Sequence, residues 1–230
     1  MLLGLAQRAH RACCVDSATR SLGFLPDADH NHTMRNIILA SGSPYRKELL
    51  QRAGYAVTAV ASGVDEPDLA PFPDLHAGLI YLALLKARAV SAKGFRGVIL
   101  GADTVSLAAG QILGKPIDRP AARQMLEHLS GTTHQVLTGW CLLHTDDGFA
   151  ITGVEATEIT MRRWTDAELA GYLDSGEWQG KCGAYGLQLP TDPFVTAMSG
   201  SAFNVIGLPL ERLEQVWLAF PSLGAESRVV

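Results

Sequence analysis

Asn36-Ile37-Ile38-Leu39-Ala40-Ser41-Gly42-Ser43-Pro44-Tyr45-Arg46-Lys47 changes character twice over a short span. The apolar run Ile37–Ala40 reads as a buried strand. Ser41-Gly42-Ser43-Pro44 then turns the chain into a helix. Ser43 suits the N-cap, and Pro44 suits the first helical position, where its fixed φ is already helical and its missing N–H would have had no partner. Leu49, Leu50 and Ala53 fall on one side of this helix, and Gly54 closes it. A strand that feeds directly into a helix, with a further strand expected at Tyr55–Val60, is the start of a layered protein in which helices pack on a sheet.

The rest of the chain repeats that alternation. Gly63–Pro73 reads as a loop around Asp65-Glu66-Pro67-Asp68, followed by a long helix over about 74–93 that stops at Gly94. Gly97-Val98-Ile99-Leu100-Gly101 is a short apolar run that predicts a central strand. It places Ala102-Asp103-Thr104 at that strand's carboxyl end. Gly110 marks a turn. Arg119-Pro120 opens a helix with Met125, Leu126 and Leu129 inward and Gly131 at its end. Strands are expected at His134–His144 and Phe149–Met161, joined at Asp146-Asp147-Gly148. Thr165-Asp166-Ala167-Glu168 is a capping box for a helix to about Asp174. Gly180–Gly186 is a glycine-rich loop. Phe194–Ala197 and Asn204–Gly207 read as short strands, and Pro209 opens a last helix. β-α-β units together with a hairpin predict an α/β or α+β protein with a mixed sheet.

Bulk properties narrow the function. The 230 residues are 47% hydrophobic and 18% charged, which suits one domain or two small lobes sharing a core. A net charge of −4 argues against broad nucleic-acid binding, which needs a basic surface, but leaves room for a basic pocket. Cys13, Cys14, Cys141 and Cys182 show neither CxxC nor zinc-site spacing, and are expected as reduced thiols in a cytoplasm. The absence of an unbroken apolar stretch of about 18 residues predicts no membrane-crossing helix. The opening MLLGLAQRAHRACC has too short an apolar run for a secretory signal. Residues 1–33 are expected to be a tail, or a start placed too early, with the folded domain spanning 34–230 from Met34.

Four segments carry possible chemistry. At Ser41–Lys47, free N–H groups and the helix dipole favour an anion, two serine hydroxyls point the same way, and Arg46 is able to clamp a phosphate. The same turn also serves as an ordinary capped helix with a solvated charged face. Asp103 suits Mg²⁺ or Mn²⁺ ligation, acceptance of a proton from water, or simply the capping of a turn. Gly114-Lys115-Pro116 is not a Walker loop, because Gly110–Lys115 is one residue short and Pro116 replaces the required Ser or Thr. Lys115 is either a point charge for phosphate or a surface lysine. In Gly180-Lys181-Cys182-Gly183-Ala184-Tyr185-Gly186-Leu187-Gln188, the glycines permit close backbone approach, Lys181 suits phosphate and Gln188 offers a donor and an acceptor. Glu66 is placed to complete a metal site with Asp103. Lys86, on the long helix, reads locally as solvent-facing. His128 and His134 lack a Ser or Cys partner in a recognisable triad, and Cys182 is not expected to be a nucleophile.

In this order the segments resemble the Maf family of nucleotide pyrophosphatases, also called septum formation inhibitor proteins. The matching stretches are Leu39–Leu50, Val64-Asp65-Glu66, Lys86-Ala87-Arg88-Ala89, Leu100–Thr104, Gly114-Lys115-Pro116, Leu129-Ser130-Gly131 with His134 and Val136, Gly180–Gln188 and Asn204–Leu210. They span roughly 35–220. The resemblance implies an elongated, two-lobed Maf/ITPase-like α/β fold with a mixed central sheet and a cleft between the lobes. It implies hydrolysis of a nucleoside triphosphate between the α and β phosphates with a divalent metal cation, Mg²⁺ or Mn²⁺. By position Asp103 takes the family's proton-accepting role. Ser43, Arg46, Glu66, Lys86, Lys115, Lys181 and Gln188 match the family's cleft residues. Taken with the local reading, Asp103, Arg46, Lys115 and Gln188 are expected as catalytic residues, Ser41, Ser43, Tyr45, Lys86 and Lys181 as substrate-binding residues, and Asp103 with Glu66 as the metal pair. A homodimer is compatible with the family. Ala102-Asp103-Thr104 and Ala184–Gln188 resemble the branch acting on dTTP and UTP, in a housecleaning role. Tyr45 replaces an arginine usual there and resembles the 7-methyl-GTP branch, and Leu189–Pro193 also departs from the usual glycine-rich continuation. The alternatives are an ITP-preferring pyrophosphatase and a nucleotide-binding regulator of septum formation without turnover.

Overall fold

The structure is a computed structural model that describes residues 35–67, 69, 72, 74–188 and 191–218. The expected tail, Met34, Cys13 and Cys14 lie outside the described residues. β1 (Arg35–Leu39) runs parallel to β2 (Tyr55–Ala59) and to β3 (Val98–Ala108). β3 turns through Ala109 and Gly110, both at positive φ, into the short antiparallel β4 (Gln111–Leu113). Its other edge pairs antiparallel with β5 (Thr133–His144), which pairs with β6 (Ala150–Met161), which pairs with β7 (Val195–Ser199). Among the described residues this makes one seven-stranded sheet, mixed as the sequence predicts, with β4 a strand the sequence reading left out.

The helices follow local signals. α1 (Pro44–Arg52) begins with Pro44 and is capped by Ser43, whose side chain accepts from Arg46 N. α2 (Leu75–Ala92) is capped by Asp74 and α3 (Arg119–Leu129) by Asp118. α4 (Asp166–Ser175) has both bonds of the Thr165–Glu168 capping box. α5 (Ala202–Ile206) and α6 (Leu210–Leu218) close the fold.

Apolar packing is divided. One group gathers Leu39, Leu50, Leu100, Trp140, Leu208 and Trp217 around β1, α1 and α6. Another gathers Leu126, Tyr172, Leu173 and Trp178 around α3 and α4, next to Leu129, Val136 and Ile159 on the sheet.

α2 is long and apolar enough to cross a membrane by length and composition, with a mean hydropathy of 1.3. Lys86 and Arg88 keep it from being an unbroken apolar run. Its buried face, Leu79, Leu82, Ala83, Ala87 and Val90, packs on β3 and β5 instead. Two glycines make that approach possible. A Cβ on Gly101 would lie 2.0 Å from Ala83 O, and one on Gly139 would lie 2.5 Å from Leu79 O. Gly101→Ala is therefore expected to push α2 off the sheet and destabilise the protein by about 1–3 kcal/mol, as overpacking does. Urea unfolding would measure this.

The structure departs from the sequence expectation at three places. Asp103 does not end a strand: β3 runs on to Ala108, because its pairing with β5 continues from Val98 to Leu107 after β1 has ended. Asn204–Gly207 belongs to α5 and its C-cap, not to a strand, since Ser201 caps a helix and Asn204 is drawn into the interior. Lys86 is 6% exposed rather than solvent-facing, because α2 presents it to the sheet beside two carboxylates.

Candidate active site

Alternation along β3 places neighbouring side chains on opposite faces of the sheet. Asp103 faces α2, on the same side as Gly101. There Lys86 Nζ lies 2.5 Å from Asp103 Oδ1 and 2.7 Å from Glu66 Oε1. The buried ammonium thus bridges an acid from the sheet and an acid from the β2–α2 loop. Thr104 and Ser106 face the other way. They line a cleft of about 860 Å³, open at its mouth, between α1 and α5 on one side and α3 with the 180–187 loop on the other.

The two faces meet at an edge of β3 that has no neighbouring strand. β1 follows β3 only as far as Ala40, whose N–H donates to Leu100 O at 2.8 Å. β4 joins only from Ser106. Between them, side chains complete the edge. Arg46 Nη1 donates to Ala102 O at 2.9 Å, and Cys182 Sγ donates to Thr104 O at 2.7 Å. Cys182 is therefore a structural donor, and burial pushes its thiol pKa up, away from nucleophilic use.

Arg46 is the pin of this edge. Its Nε donates to Gly207 O at 2.9 Å, Nη2 to Thr104 Oγ1 at 2.9 Å, and Nη1 also to Ser41 Oγ at 3.3 Å. Four of its five N–H groups are spent on the protein, so the two-bond phosphate clamp expected from sequence is not free; one Nη2 proton remains for a ligand. Burial lowers its pKa from the ordinary guanidinium value, against the pull of Asp103, Cys182 and Glu66. Behind it, Thr104 Oγ1 and Thr138 Oγ1 lie 2.9 Å apart, and Thr138 donates to Asn204 O. The buried Asn204 in turn donates to Val136 O and Thr157 Oγ1.

The expected residues divide into groups. Ser43, Tyr45, Arg46, Lys115 and Lys181 converge on the cleft. Lys115 stands exposed at its mouth. Lys181 packs over Gly186, pairs with Glu177 at 2.7 Å and sits 5.5 Å from the Tyr45 ring. Glu66, Lys86 and Asp103 form the acid–base cluster around the edge. Ser41 does not line the cleft; its Oγ supports Arg46 and accepts from Ser43 N. Gln188 is also off the cleft lining, with an exposed side chain and its N–H on Asp192 Oδ2. Reading the sequence for chemistry missed Thr104, Ser106 and His134 as lining residues. The i, i+2 spacing of Thr104 with Ser106, and of His134 with Val136, is the signal that would have found them.

The model of the Maf-like protein family matches residues 36–219. A dTTP/UTP pyrophosphatase of Symbiobacterium thermophilum is 40% identical over 188 residues, covering 81% of this chain and 95% of that protein. A dTTP/UTP pyrophosphatase of Bacillus anthracis is 41% identical over 180 residues, covering 78% and 93%. Among solved structures, a dITP/XTP pyrophosphatase of Mycobacterium abscessus overlaps with a TM-score of 0.34 at 18% identity, covering 56% of this chain and 75% of that one. Cationic side chains line the cleft, and a carboxylate pair lies beside it across the open edge of β3. The chain belongs to the Maf-like protein family.

Proposed function

We propose that the protein hydrolyses dTTP and UTP between the α and β phosphates, releasing a nucleoside monophosphate and pyrophosphate, as a cytoplasmic housecleaning enzyme. One observation carries this reading: Lys86 holds Glu66 and Asp103 together at the open edge of β3, beside a cleft lined by Arg46, Lys115 and Lys181. The names of the relatives at 40–41% identity support the pyrimidine substrates. Tyr45, whose likeness to the 7-methyl-GTP branch pointed elsewhere, has its ring beside Lys181 in this structure.

The acid pair fits a divalent cation. Glu66 and Asp103 already converge on one positive charge, and each keeps a second carboxylate oxygen with no partner among the described residues. Mg²⁺ is commonly held by one or two carboxylates plus substrate phosphates, so no larger cluster is needed. When bound, such an ion supplies positive charge against the phosphate chain. Asp103 accepts the proton of the attacking water. The free Arg46 N–H, Lys115 and Lys181 hold the phosphates and stabilise the charge that collects on the leaving pyrophosphate.

Pyrophosphate release from dTTP, UTP, CTP, 7-methyl-GTP, ITP and the common purine triphosphates, with Mg²⁺ and then Mn²⁺, tests this. Fastest release from dTTP and UTP is expected. Nucleotide binding without release from any of them would replace the enzyme with a binding regulator.

A further inference from the structure

One buried polar side chain of the cleft has no part in the reaction as derived. His134 is 4% exposed and lines the cleft, and its Nδ1 has no hydrogen-bond partner among the described residues. On the same face of the sheet Thr104, Thr138 and Thr157 are all bonded, and the other buried ring nitrogen without a partner there, Trp140 Nε1, belongs to a residue outside the cleft lining. Leaving a buried nitrogen unpaired costs about 1–3 kcal/mol, so a site that retains one calls for a partner that arrives with the ligand.

The register of the sheet shows which part of a ligand that is. Thr104 faces Thr138, Ser106 faces Val136, and His134 faces Ile159. The cleft floor thus passes from hydroxyls at the Arg46 end to an apolar surface around His134. Thr138 and His134 are four residues apart on β5, about 13 Å at strand rise. With the phosphates held at Arg46, Lys115 and Lys181, the far end receives the base. Leu129, Val136, Ile159 and Val205 supply its apolar walls.

Resting on the nucleotide reading above, we infer that His134 is a specificity-determining residue that hydrogen-bonds the imide edge of the pyrimidine base. Burial pushes its imidazole pKa down to about 4, so the ring is neutral near pH 7 and unsuited to phosphate. A neutral imidazole carries one donor and one acceptor, and the N3–H and O4 of uracil or thymine offer one of each.

The test is steady-state kinetics on full-length wild type, His134→Phe and His134→Gln, with inorganic triphosphate as a base-free competitive inhibitor. For UTP, His134→Phe is expected to raise KM about tenfold with kcat changed less than threefold. The inhibition constant of inorganic triphosphate stays at the wild-type value, and His134→Gln recovers part of the loss. A KM for UTP within twofold of wild type in folded His134→Phe overturns the inference. So does a parallel loss of triphosphate affinity without rescue by glutamine, because that marks a packing role. If neither variant folds, N3-methyl-UTP on wild type decides: a KM tenfold above that of UTP upholds the contact, and an equal KM overturns it. Absence of pyrophosphate release from wild type would fail the reaction reading instead, and calorimetric binding of UTP to wild type and both variants then reports on His134 separately.

Discussion

Asp103→Asn is expected to lower pyrophosphate release from UTP by about 100–1000-fold, the effect of losing ~2.7–4 kcal/mol of transition-state stabilisation. The substitution keeps the shape of the side chain and leaves an oxygen able to accept from Lys86, which lies 2.5 Å from Oδ1. The fold should therefore survive. The change removes the negative charge proposed to help hold a divalent cation and the basicity proposed to take a proton from water. Asparagine is neutral at any working pH, so Glu66 is the one carboxylate left beside Lys86. Glu66 is a poor substitute, because its side chain is 51% exposed and comes from a loop, whereas Asp103 is fixed in the middle of β3. Steady-state release on a protein with a wild-type melting curve is the measurement. Near-normal turnover in folded Asp103→Asn would remove Asp103 from the chemistry.

Arg46→Ala is expected to damage stability and activity together, with a loss of about 2–4 kcal/mol in denaturant unfolding. The side chain donates to Gly207 O, Ala102 O and Thr104 Oγ1, each at 2.9 Å, and thereby ties α1, β3 and the end of α5 together. Unpaired buried acceptors cost about 1–3 kcal/mol each, and water entering from the cleft offsets part of that. Arg46→Lys should recover little, since a single ammonium cannot reach acceptors set around a planar fork. Activity falls for two reasons: one phosphate donor is lost, and the open edge of β3 that positions Asp103 is no longer held. Unchanged stability in Arg46→Ala would show that the bonds to Ala102 and Gly207 contribute nothing net.

Most elements were legible in the amino-acid order because their causes are local. Ser43 caps the helix that Pro44 begins, Thr165 and Glu168 exchange bonds three residues apart, and Asp146-Asp147-Gly148 turns one strand into the next. Such signals act within one turn of chain. The chemistry-bearing residues were legible for a similar reason: arginine, lysine and carboxylate side chains beside strand–helix turns carry their charge wherever they are placed. That was enough to single out Arg46, Lys115, Lys181, Glu66 and Asp103 as candidates.

Where those charges stand was not legible. Asn204–Gly207 has the composition of a strand, but it is a helix because Asn204 finds Val136 O and Thr157 Oγ1 in the interior. Lys86 has the look of a surface lysine until α2 is laid on Gly101 and Gly139. Asp103 and Thr104 are neighbours in the chain that serve opposite faces of the sheet, and only the early ending of β1 lets those faces share one site. His134 depends on partners 25 or more positions away, Ile159 among them. Local order decides which residues can cap, turn or ionise. Burial, register and the open edge of β3 arise from contacts between distant segments, and these alone turn a list of charges into a cleft with a cationic end and an apolar end.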